Sequence, residues 1–178
     1  MRCFLALPLP DEIREALADI AHALPMGRPV AEVNLHLTLA FLDEVTQSDL
    51  ERLHEVLDDL RPPPVTLTLS GLELFGGKSP ALMAILASGA EALQSRVARA
   101  VGQAGITLPR RRFRGHVTLT RFPRRMEAGQ LAKLGRFLQS EAATRLPPVE
   151  VDHLALYASH LHPDGARYEV LAEYPLEG

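Results

Sequence analysis

Apolar positions along the chain recur with two periods, and the switches between them mark the elements. "RCFLALPLP" is nearly continuous apolar chain and predicts a first strand. In "DEIREALADIAHAL" the apolar residues Ile13, Leu17, Ile20 and Leu24 fall on one helical face, with Asp11 as the expected N-cap. "NLHLTLAF" alternates and predicts a strand. "TQSDLERLHEVLDDL" lines up Leu50, Leu53, Leu57 and Leu60 and opens with capping-box chemistry, either Thr46 with Asp49 or Ser48 with Glu51. "RPPP" stops that helix, and "VTLTLSG" is the next strand. The order then recurs: strand "ALMAILAS", helix "EALQSRVARAVGQAG", strand "GHVTLTRF", helix "EAGQLAKLGRFLQS", strand "VEVDHLALYAS" and a last strand "ARYEVLAEY".

Strand–helix–strand–helix–strand thus occurs twice, which reads as an internal duplication with weak sequence identity. The expected fold is α+β: a single bilobal domain, residues 1–178, with lobe-like repeats near 1–75 and 80–178. Two such lobes related by a pseudo-two-fold axis bring their equivalent central strands together across a groove. Antiparallel or mixed sheets line the groove and the helices lie outside. "LFGGKSP" is the expected connection between the lobes.

Composition narrows the picture only a little. A net charge of -3 gives no global pull toward nucleic acid or membrane, so any polyanion site must come from local clustering. The single cysteine, Cys3, excludes an intrachain disulfide and suits a reducing cytoplasm, the expected location. "MRCFLALPLPDEIRE" does not have the pattern of a signal peptide, and no apolar run approaches the ~18 residues of a membrane span.

The candidate chemistry lies in a repeated tetrapeptide. "HLTL" at 36–39 returns as "HVTL" at 116–119, each in the same place within the repeated order of elements. On a strand, His36 and Thr38 share one face while Leu35, Leu37 and Leu39 take the other; His116 and Thr118 oppose Val117 and Leu119 in the same way. Two such strands brought together offer two imidazoles and two hydroxyls on rigid supports. Displacement at a phosphodiester needs a base on the attacking side and an acid on the leaving side, and histidine serves in either state near neutrality. Threonine hydroxyls can donate to the phosphate oxygens as charge builds there. This chemistry demands neither metal nor cofactor.

"NLHLTLAFLDEV" and "FRGHVTLTRF" resemble the paired motifs of the two-histidine phosphoesterases, and are most similar to the RNA 2′,3′-cyclic phosphodiesterases, once called 2′-5′ RNA ligases. The ends, "RCFLALPLPDEIREAL" and "LALYASHLHPDGARYEVLAEYPL", also resemble that family. The resemblance implies hydrolysis of a terminal 2′,3′-cyclic phosphate to a 2′-phosphomonoester, with a weak ATP-independent reverse reaction that makes 2′-5′ linkages. It implies that His36 is the proton donor to the leaving 3′-oxygen and His116 the acceptor from water; the residues alone do not distinguish donor from acceptor. Three departures stand out. Gly115 occupies the place where the family usually has proline, implying a looser start to that strand. Asp43 stands where glycine is common. The chain has no tryptophan, although relatives often carry one before the first motif and another in the middle strand.

"PRRRFRGHVTLTRFPRR" packs seven arginines around the second motif. Arg121 lies an odd number of residues from His116, so an ideal strand points it away from the imidazole; a bulge or strand end would turn it inward as a phosphate-binding residue. Arg114, with Arg110, Arg111, Arg112, Arg124 and Arg125, supplies the local positive field that would draw in RNA. Phe4 and Phe41 are candidates to stack on a base, with Phe113 a third. "GGKS" at 76–79 is not a P-loop, because Leu72 occupies the first required glycine and Pro80 precedes a strand. "HLH" at 160–162 falls at a hairpin tip and reads as exposed histidines rather than a metal site; His22 and His54 read as helix-border residues and Cys3 as core. The expected partners are RNA termini or oligonucleotides, with no membrane and no obligate protein partner. Two other readings stay open: the same chemistry on a small cyclic nucleotide or a 2′-5′-linked oligonucleotide, and a non-catalytic RNA-end binder.

Overall fold

The computed structural model describes residues 1–178. The elements run in chain order as β1 (Arg2–Pro8), α1 (Asp11–Ala23), β2 (Arg28–Pro29), a 3-10 turn (Glu32–Asn34), β3 (His36–Glu44), α2 (Gln47–Asp58), β4 (Val65–Gly76), β5 (Pro80–Ser88), α3 (Glu91–Gln103), β6 (His116–Arg121), α4 (Ala128–Ser140), β7 (Val149–Val151), β8 (His153–His162) and β9 (Gly165–Pro175). The periodicity locates all four helices. Thr46 and Asp49 close the reciprocal capping box of α2. The cap of α1 is different: Pro10 precedes the helix, and Asp11 is its first residue and makes no side-chain cap. Gly129 and Gly135 sit within α4 facing open space, so their cost there is only the backbone entropy of glycine.

Two antiparallel sheets carry the fold, in the orders β3-β1-β8-β9 and β2-β6-β5-β4-β7. They do not follow the expected division near residues 75–80. "LFGGKSP" is the tip of the β4–β5 hairpin inside the second sheet rather than a bridge between lobes. The anticipated strand "VEVDHLALYAS" is two strands: β7 borders β4 in the second sheet, the chain changes sheets at Asp152, and β8 pairs with β1 in the first. The reason is that β3 covers only one edge of β1; the other edge needs a partner, which the C-terminal strands supply.

The helices cross over as well. α1 packs against β6 and α3 against β3, so each motif strand is backed by a helix from the other half of the sequence. One continuous apolar core includes Leu5, Leu37 and Leu156 of the first sheet together with Leu69, Ile85 and Leu119 of the second. No helix is long and apolar enough to cross a membrane.

Candidate active site

The two motif strands lie together at the centre of the molecule, and both line one open groove of about 890 Å³. His36, Thr38, His116 and Thr118 all face it, with Leu37, Val117 and Leu119 buried behind them. Alternation along a strand suffices to place these seven side chains.

Immediately after each motif the alternation breaks. β3 carries one extra residue against β1 at Leu39, where Ala6 pairs with Thr38 but Leu5 pairs with Ala40. β6 carries one extra residue against β5 at the equivalent place, where Ala84 pairs with Thr118 but Met83 pairs with Thr120. Each bulge frees a carbonyl from its ladder: Gln94 Nε2 donates to Leu39 at 3.4 Å, and the Val30 N–H donates to Leu119 at 2.8 Å. The bulges reverse the facing of the later residues, turning Phe41 and Arg121 into the groove although each is five residues from its histidine. The same turn drives Thr120 fully inside, where its hydroxyl has no partner; Ala40 takes that place in the first strand.

Each imidazole is held by the same local device. His36 Nδ1–H donates to the Asn34 carbonyl at 2.6 Å, and His116 Nδ1–H donates to the Arg114 carbonyl at 2.7 Å. This leaves Nε2 of each ring as the nitrogen not tied to the backbone. The Thr38 hydroxyl donates to His36 Nε2 at 3.0 Å. Each ring also lies on an aromatic floor: His36 stacks on Phe4 at 4.9 Å, and His116 on Phe75 at 4.4 Å. Behind Phe4 the row continues through Tyr157 at 5.0 Å, and Tyr168 stands edge-on to His36 at 5.3 Å. This burial, reinforced by the positive charge of Arg121 and only partly offset by the Asn34 hydrogen bond, lowers the His36 pKa to about 4.

Phe4 is therefore not a surface for a base. It is 4% exposed, its ring occupied by His36 and Tyr157, whereas Phe41 is 54% exposed in the groove. Of the seven clustered arginines, Arg111, Arg112, Arg114 and Arg121 line the groove, and Arg110, Arg124 and Arg125 do not. Arg114 is partly engaged already, paired with Glu73 and placed 4.7 Å over the Phe75 ring.

Pattern reading missed Phe75, Tyr157, Tyr168 and Asn34. Asn34 acts twice: besides its carbonyl on His36, its side-chain amide donates to the Ala166 carbonyl at 2.8 Å, fastening the β8–β9 hairpin beside the groove. An Asn two residues before a strand histidine was the available signal, but its partner is 132 residues away and unreadable from spacing. The "HLH" histidines lie apart from this groove, with His160 paired to Glu169 at 2.9 Å.

A profile described as "LigT like Phosphoesterase" matches the chain over residues 7–85 and again over 82–168. The chain belongs to the LigT-like phosphoesterase family. The RNA 2′,3′-cyclic phosphodiesterase of Escherichia coli is 34% identical over 191 residues, spanning 98% of this chain and 96% of that relative. The protein of the same name from Archaeoglobus fulgidus is 30% identical over 177 residues, spanning 96% and 98%. Among solved structures, E. coli LigT complexed with 3′-AMP superposes with a TM-score of 0.75 at 28% identity, over 98% of this chain and 97% of that one.

Two departures of this LigT-like phosphoesterase from the usual motif now have physical accounts. Gly115 does not loosen the strand. Its carbonyl accepts the Ala87 N–H at 2.9 Å, and a Cβ on it would stand 2.3 Å from the Ala87 carbonyl oxygen. A proline carries that Cβ too, so this backbone excludes it. Gly115→Ala is expected to cost about 1–3 kcal/mol and to displace His116, lowering turnover more than the loss of stability explains; urea unfolding and kcat measured together check this. Asp43 holds φ 54, the left-handed region where glycine sits without cost and aspartate is tolerated.

Proposed function

We propose that this protein hydrolyses terminal 2′,3′-cyclic phosphates of RNA to 2′-phosphomonoesters by proton transfer between His36 and His116. The observation that carries the reading is the matched pair of imidazoles, each with Nδ1 tied to a backbone carbonyl two residues earlier and Nε2 left for one shared groove. The names of the relatives support the choice of substrate. His116 Nε2 takes a proton from the attacking water. His36 Nε2 delivers one to the leaving 3′-oxygen. Thr38 and Thr118 donate to the non-bridging oxygens, and Arg121 offsets the charge that gathers on them. With the 5′-hydroxyl of a second RNA in place of water, the same forward steps form a P–O5′ bond, release the 3′-oxygen as a hydroxyl and join the two RNAs through a 2′-5′ linkage.

The donor role has a requirement. With its pKa lowered to about 4, His36 is neutral in the empty groove at pH 7. A cyclic phosphate brings a negative charge beside the ring and opposes both the burial and Arg121, so substrate itself must raise that pKa. Binding then takes up a proton. In a His116→Ala background, which binds without turning over, calorimetry at about pH 6 in buffers of different ionisation enthalpy should register uptake approaching one proton. Adding His36→Gln should abolish the uptake. Binding with no uptake would remove His36 as the donor.

The direct assay incubates the protein with an oligonucleotide ending in a 2′,3′-cyclic phosphate, in the presence of EDTA. The expected product carries its phosphate on the 2′-oxygen. A 3′-phosphate product, or tight binding with no turnover, would overturn the reading. Comparing rates on the oligonucleotide and on a cyclic mononucleotide fixes the substrate size.

A further inference from the structure

Beyond the second half of the first motif, the groove wall carries a carboxylate in basic surroundings. Six arginines line the groove, namely Arg2, Arg28, Arg111, Arg112, Arg114 and Arg121, and Asp43 stands among them. Asp43 enters none of the molecule's ion pairs, and neither does Arg2 on the neighbouring strand. The backbone fixes its position: β3 has a second extra residue at Leu42, between the Phe4–Phe41 and Cys3–Asp43 pairs, and Asp43 takes the left-handed conformation at that bulge. A carboxylate in a phosphate groove repels phosphate, so its partner must be a donor of N–H bonds. The groove's other carboxylate, Asp164, lies in the turn between β8 and β9, and no cluster of three or more metal-ligating side chains is present.

Beside it is the one strongly exposed aromatic ring of the groove. Phe41 lies two residues before Asp43 on the same wall, 6.2 Å from Phe4, which in turn stacks on His36. A base lying on Phe41 is thus one ring removed from the floor of the reacting histidine, the separation that a single nucleotide spans. Asp43, two residues farther along β3 and lining the same groove, is a carboxylate acceptor on the same strand for the Watson–Crick edge of such a base. Among the four bases, guanine alone presents two adjacent N–H donors there, N1–H and N2–H, that a carboxylate accepts together. Adenine and cytosine present one amino group beside an acceptor nitrogen, which the carboxylate repels, and uracil presents one imino N–H between two carbonyls.

We propose that Phe41 and Asp43 form a nucleobase subsite that selects guanine at the cyclic-phosphate end. The base stacks on Phe41 and its N1–H and N2–H groups donate to the Asp43 carboxylate. This rests on the reading of the groove as a cyclic-phosphodiesterase site, and the test separates the two. Dinucleotides ending in each of the four 2′,3′-cyclic nucleotides are assayed for kcat/KM with the native protein, Asp43→Gly, Asp43→Asn and Phe41→Ala. The native protein should favour guanine by about tenfold to a hundredfold, the range of a bidentate base contact. Asp43→Gly relieves the left-handed backbone, so it folds, and the guanine advantage should vanish in it. Asp43→Asn, which keeps one acceptor oxygen and adds a donor, should lose most of it. Phe41→Ala should raise KM for all four substrates alike. Equal rates on all four bases in the native protein, or a guanine preference that survives Asp43→Gly, would overturn the selection by Asp43; an unchanged KM in Phe41→Ala would overturn the stacking. Turnover of none of the four would instead count against the phosphodiesterase reading itself.

Discussion

Replacing His116 by alanine, or His36 by glutamine, is expected to lower the hydrolysis of an RNA 2′,3′-cyclic phosphate about a thousandfold each, within the range that positioned proton transfer contributes. The two losses should not multiply in the double variant, because acid and base act in one displacement and either absence already stops it. Folding should survive. His116 is half-buried, and its removal only uncovers the Phe75 ring. Glutamine at position 36 keeps a polar group beside the Thr38 hydroxyl, so no buried donor is stranded. The check is kcat beside urea unfolding for each variant. A variant that folds and keeps more than about a tenth of the native rate would refute the two-imidazole mechanism.

The second large effect is on stability, and it arises from the same burial. In the unfolded chain His36 has its ordinary pKa of 6.5, and in the folded protein about 4. Above the unfolded value both states are neutral and nothing is lost. As pH falls through 6.5 the unfolded chain takes up a proton that the folded chain does not, so stability declines. The decline continues until the folded ring also titrates, and it totals about 3 kcal/mol. At pH 5 most of it, about 2 kcal/mol, is already lost. The fold with glutamine at position 36 should lack this component. Urea unfolding at pH 7.5 and pH 5 should show the native protein losing about 2 kcal/mol more than His36→Gln. Parallel losses would mean that the ring is not held neutral by its surroundings. Because the phosphate of a substrate supplies the missing counter-charge, ligand should protect against acid more strongly than against urea at neutral pH.

Both effects express one compromise. A proton donor must be able to hold a proton, yet His36 is packed between Phe4 and the edge of Tyr168, with Arg121 nearby. On the proposed assignment, this arrangement keeps the donor neutral until an anionic substrate arrives. His116, on the opposite wall, has a Phe75 floor that is only partly buried where Phe4 is buried, and its hydrogen bond to Arg114 is exposed where that of His36 to Asn34 is part-buried. The pseudo-symmetry is therefore close in backbone device and unequal in environment, which is what a reaction with one donor and one acceptor requires. The same inequality appears after the bulges, where the first strand presents Phe41 and the second presents Arg121. One wall thus presents an exposed aromatic ring and the other a guanidinium.

The four helices, most strands, the duplicated motif and the facing of His36, Thr38, His116 and Thr118 were legible in the sequence, because each depends on periodicity within a single element. Only the tertiary structure decided which strands share a sheet. β7 and β8 look like one apolar run, and only the unfilled edges of β4 and β1 separate them at Asp152. It also decided that Phe41 and Arg121 face the groove, since a bulge exists only relative to a partner strand, and that Phe4 is a buried floor instead of an exposed platform. Gly115 and Asn34 acquire their importance from Ala87 and Ala166, residues distant in sequence. Side-chain alternation is a property of one strand and is written locally; register, stacking and the pKa of a ring are properties of what lies across from it, and those arise only when remote segments meet.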